Sequence, residues 1–237
     1  MKKAVFIFVL LFGMCTLAFT QYEAWFSIGY EQGFFLDTYS NQITTIDTNT
    51  ASEGINISGY RFLKDNIGLF VHGSFLSLKN ICYMDNNGLS YIDFTDYGFN
   101  MQLGFLIGFA YKIELTNDFK IYFGIGFSYL SSLMGFPGVG NVSYENSTSS
   151  YGIGGDIGFK IDLTDRFFLR FGSILGFDFL RYSDLVTYTG AAATSSSSGF
   201  DNNFIMFCVR PYLSVGINLN RINDNGRLVL ITGKPNQ

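Results

Sequence analysis

The stretch YGFNMQLGFLIGFAYK, from Tyr97 to Lys112, alternates between two kinds of side chain. Its odd-numbered positions are all apolar or aromatic, whereas most even-numbered positions carry glycine or a polar residue. Successive side chains of a β-strand point to opposite faces of the sheet. The pattern therefore predicts one long strand with a wholly apolar face and an opposite face that is small or polar.

The same alternation recurs along the chain, which predicts eight strands in all. The other seven segments are 23–31, 55–58, 67–75, 119–129, 151–161, 167–179 and 205–219. Short turns at 63–66, 113–118 and 164–165 alternate with long segments rich in Ser, Thr, Asn, Asp and Gly. We expect these long segments, 37–52, 80–95, 131–150 and 180–203, to be loops.

The composition narrows the class of protein. Of the 237 residues, 48% are hydrophobic and only 14% are charged, against about 25% charged in a typical soluble domain. A helical membrane span needs about 20 consecutive apolar residues, and no such run follows residue 20. The formal charge of −4 leaves no basic surface for nucleic acid. An all-β membrane protein fits these facts.

The N-terminus has the order of an export signal. Lys2 and Lys3 precede an apolar run from Ala4 to Met14, and small residues follow. We therefore divide the chain into a signal peptide at 1–20, a β-barrel at 21–219 and a short tail at 220–237. In the mature part, Cys82 and Cys208 fall in a predicted loop and a predicted strand, and we expect both thiols to be unpaired.

The same alternation would also fit a β-sandwich. Three features favour a membrane barrel. The strands are longer than the usual length of about five or six residues. The polar face is rich in glycine, as a crowded eight-stranded lumen requires. Aromatic side chains stand at both ends of the apolar face, as interfacial girdles do. These girdle residues are Tyr97, Tyr129, Tyr151 and Phe179 at the loop end and Tyr111, Phe119 and Phe167 at the turn end.

In this topology the chain resembles the small eight-stranded outer-membrane proteins: the transmembrane domain of outer membrane protein A and the OmpX-like and OmpW-like barrels. The resemblance implies an all-β fold, an eight-stranded antiparallel up-and-down transmembrane β-barrel. It also implies an outer-membrane location with long external loops and both termini in the periplasm. Such barrels commonly end in an aromatic residue, whereas here a tail to Gln237 follows the last predicted strand.

Charged side chains on the glycine-rich face are the first candidates for a site. Unpaired charges in a narrow lumen are costly, so we expect an ion-paired network that fills the barrel; a narrow ion path is the alternative. Three lysines and an arginine gather toward the turn end, so any conductance should prefer anions. The predicted lumenal charges are Glu23, Glu31, Lys112, Lys120, Asp156, Lys160, Arg170, Asp178 and Arg210.

His72, the single histidine, forms a His-x-Ser pair with Ser74. The pair is similar to one used by an outer-membrane lipid A deacylase, so lipid modification is a minor alternative. The alternation, however, turns both side chains inward, and no carboxylate lies close in sequence to orient the ring. We therefore interpret them as a lumenal hydrogen-bonding pair and expect no enzymatic activity.

These observations predict a barrel with a largely filled lumen that acts as a structural or surface-interaction protein of the cell envelope. Its alternative is a narrow pore or conduit for small ions or hydrophobic molecules. The expected partners are outer-membrane lipid, including lipopolysaccharide-type lipid, and an external ligand at the loops. We expect a monomer, with no nucleic acid, no cofactor and no metal, because one His and two distant Cys make no metal site.

Overall fold

The computed structural model describes residues 23–40, 45–62, 66–85, 88–94, 100–137, 142–189, 192–201, 203–222 and 228–230. These residues form eleven strands: β1 (Glu23–Ser40), β2 (Thr45–Phe62), β3 (Ile67–Asp85), β4 (Gly88–Asp93), β5 (Met101–Glu114), β6 (Phe119–Pro137), β7 (Val142–Asp162), β8 (Phe167–Thr189), β9 (Ala192–Asp201), β10 (Phe204–Ile222) and β11 (Leu228–Leu230). No helix in this part of the chain has the length and apolarity to cross a membrane. The predicted signal peptide at 1–20 and the predicted girdle residue Tyr97 lie outside the described residues.

Eight of the strands close into a ring. Each pairs antiparallel with its neighbour in the order β1, β2, β3, β5, β6, β7, β8 and β10. β10 then pairs back with β1, from Ala24 opposite Asn220 to Tyr39 opposite Phe204. The predicted all-β, eight-stranded antiparallel barrel is therefore confirmed.

The register of the strand pairs determines the tilt of the strands relative to the barrel axis. We start at Ala24 and step to the directly paired residue on each neighbouring strand. After one circuit of the ring this path returns to β1 at Phe34, ten residues further on. With a rise of about 3.3 Å per residue and a strand spacing of about 4.8 Å, a shear of ten over eight strands gives a tilt of about 40°. Side chains far apart in sequence thus meet at one height in the interior.

The outer face of the ring carries the apolar side chains of the alternation. On β6, Phe123, Ile125 and Phe127 are 40%, 67% and 50% exposed. The outward apolar run of β1 ends at Leu36, after which the outward position holds Thr38. We call this band of outward apolar side chains the apolar belt. A band of this kind is stable against hydrocarbon rather than water.

The four long segments predicted as loops are largely strands, so that prediction was wrong. Beyond the belt β1, β2, β3 and β4 continue as one four-stranded sheet, and β6, β7, β8 and β9 form a second. We call these two extended sheets the cup. The Thr, Tyr and Val residues in them favour strands. Because both faces are polar in much of the cup, no apolar alternation reveals the strands in the sequence.

The structure also differs in part from the prediction of a tail at 220–237. β10 continues to Ile222, and β11 pairs with it from Asn220 opposite Leu230 to Ile222 opposite Leu228. The chain beyond residue 219 therefore adds a short antiparallel strand at the turn end of β10, because its Leu-Val-Leu run favours strand pairing.

Glycine lets large side chains lie inside the ring. A Cβ atom built on Gly124 would approach the Phe70 ring to 2.7 Å, closer than packed carbon atoms come. Two buried apolar clusters occupy the interior. The cluster nearer the short turns contains Trp25, Tyr60, Phe62, Phe70, Leu106, Ala110, Tyr122, Phe168, Ile174 and Tyr212. The cluster nearer the cup contains Phe35, Leu76, Leu130, Phe204, Met206 and Cys208.

Candidate functional site

The turn end of the interior is closed by an ionic cluster. Lys120 Nζ lies 3.3 Å from Glu23 Oε1 and 3.0 Å from Asp162 Oδ2. Lys112 pairs directly with Glu23, and Lys160 pairs directly with Asp162. Three buried lysines therefore share two buried carboxylates, with Glu114 at the rim as a further partner of Lys112. The β-sheet brings these residues together because Lys120 is the direct cross-strand partner of Lys160.

Aromatic rings hold this cluster in place. Trp25 Nε1 donates to Glu23 Oε1 over 2.8 Å. The Lys160 ammonium lies 4.8 Å from the Trp25 ring centre and 4.6 Å from that of Phe168. A cation over an aromatic face is attracted by the ring quadrupole, more strongly where water is excluded. Trp25 and Phe168 therefore compensate the lysine that has the fewest carboxylate oxygens.

Arg170 is the centre of the next layer. Its guanidinium is fully buried and pairs directly with Asp156. Its Nη2 also donates to the hydroxyls of Tyr60 over 3.1 Å and Tyr212 over 2.9 Å, and its Nε donates to Tyr122. The three tyrosine ring centres lie 4.4–5.0 Å from the Arg170 Cζ. The arginine is thus enclosed by rings on its faces and by acceptors at its edge.

His72 and Ser74 lie in a third layer, next to Glu31, a predicted lumenal charge whose contact with them sequence reasoning missed. His72 Nε2 donates to Glu31 Oε2 over 2.7 Å, and its Nδ1 is 2.7 Å from Ser58 Oγ. Ser74 Oγ donates to Glu31 Oε1 over 2.7 Å, and Arg210 lies 3.3 Å from the same oxygen. No one of these five side chains is more than 2% exposed. The strand order β1, β2, β3 could have revealed the Glu31 contact, because it places their mid-strand inward residues side by side.

Among the residues that the structure describes, Asp178 is the predicted lumenal charge without an ion pair. It is 1% exposed, and its Oδ2 accepts a hydrogen bond from Ser150 over 2.6 Å. The structure therefore brings the other eight predicted charges into three clusters and leaves Asp178 apart, near the cup. In the described residues, no group of three His, Cys, Asp or Glu side chains could hold a metal ion. Cys82 and Cys208 are both free thiols.

The described girdle residues lie on the outer face in two groups. Phe119 and Phe167 begin β6 and β8 beside short turns, and Tyr111 lies near the end of β5. Tyr129 and Tyr151, on neighbouring strands toward the cup, have ring centres 5.2 Å apart. Phe179 follows on β8, with its ring centre 6.1 Å from that of Phe177.

A cavity of about 410 Å³ lies where the barrel opens into the cup. Arg181 crosses its edge: Nε donates to Asp201 Oδ2 over 2.8 Å, and Nη1 lies 3.6 Å from Asp37 Oδ2. The guanidinium also stacks 4.2 Å from the Phe204 ring centre. Asp37 lies just beyond the apolar belt, and burial raises the pKa of its carboxyl against the lowering effect of Arg181. Sequence reasoning missed this cavity because its walls were predicted to be loops.

Comparison with known proteins agrees with this architecture. The solved structure of outer membrane protein AlkL in DMPC bilayers is 10% identical, covers 93% of this chain and 96% of its own, and has a TM-score of 0.50. A major outer membrane protein of Thermus thermophilus is 13% identical, covers 82% of this chain and 98% of its own, and has a TM-score of 0.50. At these identities the likeness shows the fold alone. A search of curated proteins gave no match.

A family model supplies the stronger finding. The model described as the outer membrane protein beta-barrel domain matches residues 6–179, most of the chain. The apolar belt and the closed eight-stranded ring are the features that such a domain needs in a bilayer, where every backbone polar group must be paired. This chain belongs to the outer membrane protein beta-barrel domain family.

Proposed function

We propose that the protein is a non-conducting outer-membrane barrel that presents the cup as a recognition surface. The observation that carries this proposal is the succession of buried layers along the axis. The Glu23 ionic cluster, the Arg170 layer, the Glu31–His72 layer and the upper apolar cluster follow one another without a gap of water-exposed side chains. An eight-stranded barrel has room inside for side chains or one small ligand, and these layers use it for side chains.

The orientation follows from the lengths of the connections. The turn end has short links, and the cup extends beyond the belt at the other end. Outer-membrane barrels have short periplasmic turns and long external segments. We infer that the cup faces outward and that both termini lie in the periplasm, after export by the N-terminal signal. The partners of the belt are then outer-membrane lipids, lipopolysaccharide-type lipid in the outer leaflet, and the unit is a monomer.

Conductance in a planar bilayer tests the filled lumen. We expect the refolded protein to give no stable single-channel steps in 1 M KCl. A matched variant, Arg170→Ala with Tyr122→Ala, removes two large buried side chains of the Arg170 layer and is expected to raise the frequency of transient openings. Steady openings of the unchanged protein, particularly anion-selective ones from the surplus lysines, would overturn the proposal and favour the narrow pore.

For the His72 layer we propose a structural role. Glu31, His72 and Ser58 have the order of a carboxylate–imidazole–hydroxyl triad, yet none of the three lines the cavity. The layer ties β1, β2 and β3 together instead. Lipid A mass spectra of cells with and without the protein are expected to be identical. An acyl-chain mass shift that disappears in a His72→Ala variant would assign lipid modification to this layer.

A further inference from the structure

A row of polar side chains interrupts the outer face of the barrel on three neighbouring strands. Gln32, Glu53 and Ser77 are direct cross-strand partners on β1, β2 and β3. Gln32 and Ser77 are exposed, and the Glu53 side chain is 40% exposed. Lys79 follows on β3, two residues closer to the cup than Ser77. We call these four residues the polar row.

The polar row is connected by contacts that run along the outer surface. Lys79 Nζ lies 2.7 Å from Glu53 Oε1. The Tyr30 hydroxyl donates to Glu53 Oε2 over 2.8 Å, and Gln32 Nε2 donates to the Tyr30 hydroxyl over 3.3 Å. The charges of Lys79 and Glu53 offset each other, so the row does not attract a ligand by net charge. A side-chain amide has two N–H donors and a carbonyl acceptor, so Gln32 can form further hydrogen bonds on its exposed side.

Gln32 lies well below the upper edge of the apolar belt. The outward run of β1 continues above it with Phe34 and Leu36, which are 49% and 56% exposed. With a rise of about 3.3 Å per residue and a tilt of about 40°, Gln32 is about 10 Å deeper than Leu36 along the axis. Val209 of β10, the partner of Phe34, is 45% exposed. Apolar side chains therefore lie above and beside Gln32, at the depth of hydrocarbon.

A polar group at this depth needs a partner, because an amide without hydrogen bonds in hydrocarbon costs free energy. Water reaches Gln32 only if the bilayer thins to its level, and thinning would expose Phe34, Leu36 and Val209 to water, which is unfavourable. A lipid with hydrogen-bonding groups below its head group satisfies both conditions. Ester-linked chains offer acceptors alone, whereas an amide-linked, hydroxylated chain offers donors and acceptors, as the Gln32 amide does.

We propose that the polar row binds a lipid A-type lipid through the amide and hydroxyl groups at the head of its acyl chains. Gln32 exchanges hydrogen bonds with these groups, while the chains pack on apolar neighbours of the row, among them Phe34 and Ile55, which is 50% exposed. The inference rests on the proposed function, because an outward-facing cup places the polar row in the outer leaflet. It deepens that function by naming the place on the belt that holds the lipid.

Mixed nanodiscs test the lipid class. The protein is placed in phosphatidylcholine discs that contain equal amounts of diphosphoryl lipid A and cardiolipin, and the lipids that stay bound are identified by native mass spectrometry. Both lipids carry a pair of phosphates and several chains, but only lipid A has amide-linked, hydroxylated chains. We expect a preference for lipid A of at least about fivefold, the worth of about one hydrogen bond. Equal retention, or a preference for cardiolipin, would overturn the inference.

Side-chain amide signals locate the contact. In protein labelled with ¹⁵N-glutamine, the Gln32 signal should shift in a saturable way as lipid A is added. Gln102, which is 4% exposed inside the barrel, is the internal control and should not shift. An unchanged Gln32 signal, or equal shifts of both glutamines, would contradict a site at the polar row.

Two variants complete the test. Gln32→Leu should abolish the preference for lipid A over cardiolipin. Ser173→Ala removes an outward hydroxyl from another part of the belt and should leave the preference unchanged. An undiminished preference in Gln32→Leu would refute the role of the row. The lipid comparison itself needs no variant to fold. Because both leaflets of a nanodisc contain both lipids, its result is independent of the orientation of the cup and of the conductance test, so either proposal can fail alone.

Discussion

Arg170 shows how a single residue organises the interior. Its guanidinium reaches Asp156, three tyrosine hydroxyls and Ser27 Oγ, the last over 3.2 Å. These groups come from five strands, so one side chain links more than half of the ring. A buried charge of this kind is stable only with its full set of partners.

Replacing Arg170 by Met should therefore be strongly destabilising. The change leaves the Asp156 carboxylate buried without its cation, which costs about 3–5 kcal/mol of unfolding free energy. Urea unfolding from phospholipid vesicles, followed by the heat-dependent gel shift of the folded barrel, measures the loss. The double variant Arg170→Met with Asp156→Asn should recover part of it. Arg166→Met, at an exposed turn, is the control and should change the stability by about 0.5 kcal/mol or less.

The close approach of Gly124 to Phe70 gives a second prediction. Gly124→Ala places a methyl group against that ring, and overpacking of this kind costs about 1–3 kcal/mol. Gly135→Ala, farther along the same strand, has no atom of the described residues within 4 Å of the new Cβ and should be neutral or slightly stabilising. The two midpoints of urea unfolding are compared. Equal midpoints would show that the Phe70 ring and its neighbours can move to make room for the added methyl group.

At this scale the sequence reveals part of the site. Alternation assigns Glu23, His72 and Arg170 to the inner face, because the period of two is a property of each strand by itself. It does not reveal that Glu31 meets His72, or that Arg181 lies between two carboxylates. Those contacts depend on strand adjacency, register and bulges, which combine residues from different strands.

At the scale of elements, the strands have two parts under different constraints. Within the apolar belt most outward positions are apolar, with exceptions such as Gln32 and Ser173, so each strand can be recognised in the sequence as a run of alternating residues. In the cup both faces meet water, so Ser, Thr and Asn occupy either face. The boundary between strand and predicted loop in the sequence, near Asp37 on β1 for example, marks the end of the belt and not the end of the strand.

Because each strand has a separate belt part and cup part, we predict that the cup can be shortened without loss of the barrel. Residues 186–196 of the β8–β9 hairpin are replaced by Asn-Gly, a pair suited to a two-residue hairpin turn between the cross-strand partners Leu185 and Ser197. We expect the variant to keep the heat-dependent gel shift and a nearly unchanged urea midpoint. Deletion of Ser173 alone, inside the belt, turns the following side chains to the wrong face. That deletion should abolish the folded band.

At the scale of the whole molecule, the shear of ten places residues of all eight strands in common layers. The same slant gives the belt its height, since each outward apolar residue advances along the axis by less than its rise along the strand. The eight-stranded ring itself was predictable, because strand number and alternation are local. The shear was not, because it is the sum of registers around a closed ring.

The belt predicts how the cost of a charge depends on depth. Ile125, 67% exposed at mid-strand on β6, should lose about 2–4 kcal/mol of folding free energy when replaced by Lys. Leu89, 73% exposed on β4 of the cup, is as open to its surroundings but outside the belt. Leu89→Lys should cost almost nothing. The two variants are compared by their folding free energies in phospholipid vesicles. Equal losses for Ile125→Lys and Leu89→Lys would contradict the assigned belt.

The seam between β1 and β10 has a consequence for biogenesis. These are the first and the last strands of the ring, so a nascent or truncated chain that lacks β10 leaves two open edges. Open edges do not persist in hydrocarbon, because each unpaired backbone group there costs several kcal/mol. Closure therefore acts as a completeness check: a chain that lacks its final barrel strand cannot pair all of its backbone groups in hydrocarbon.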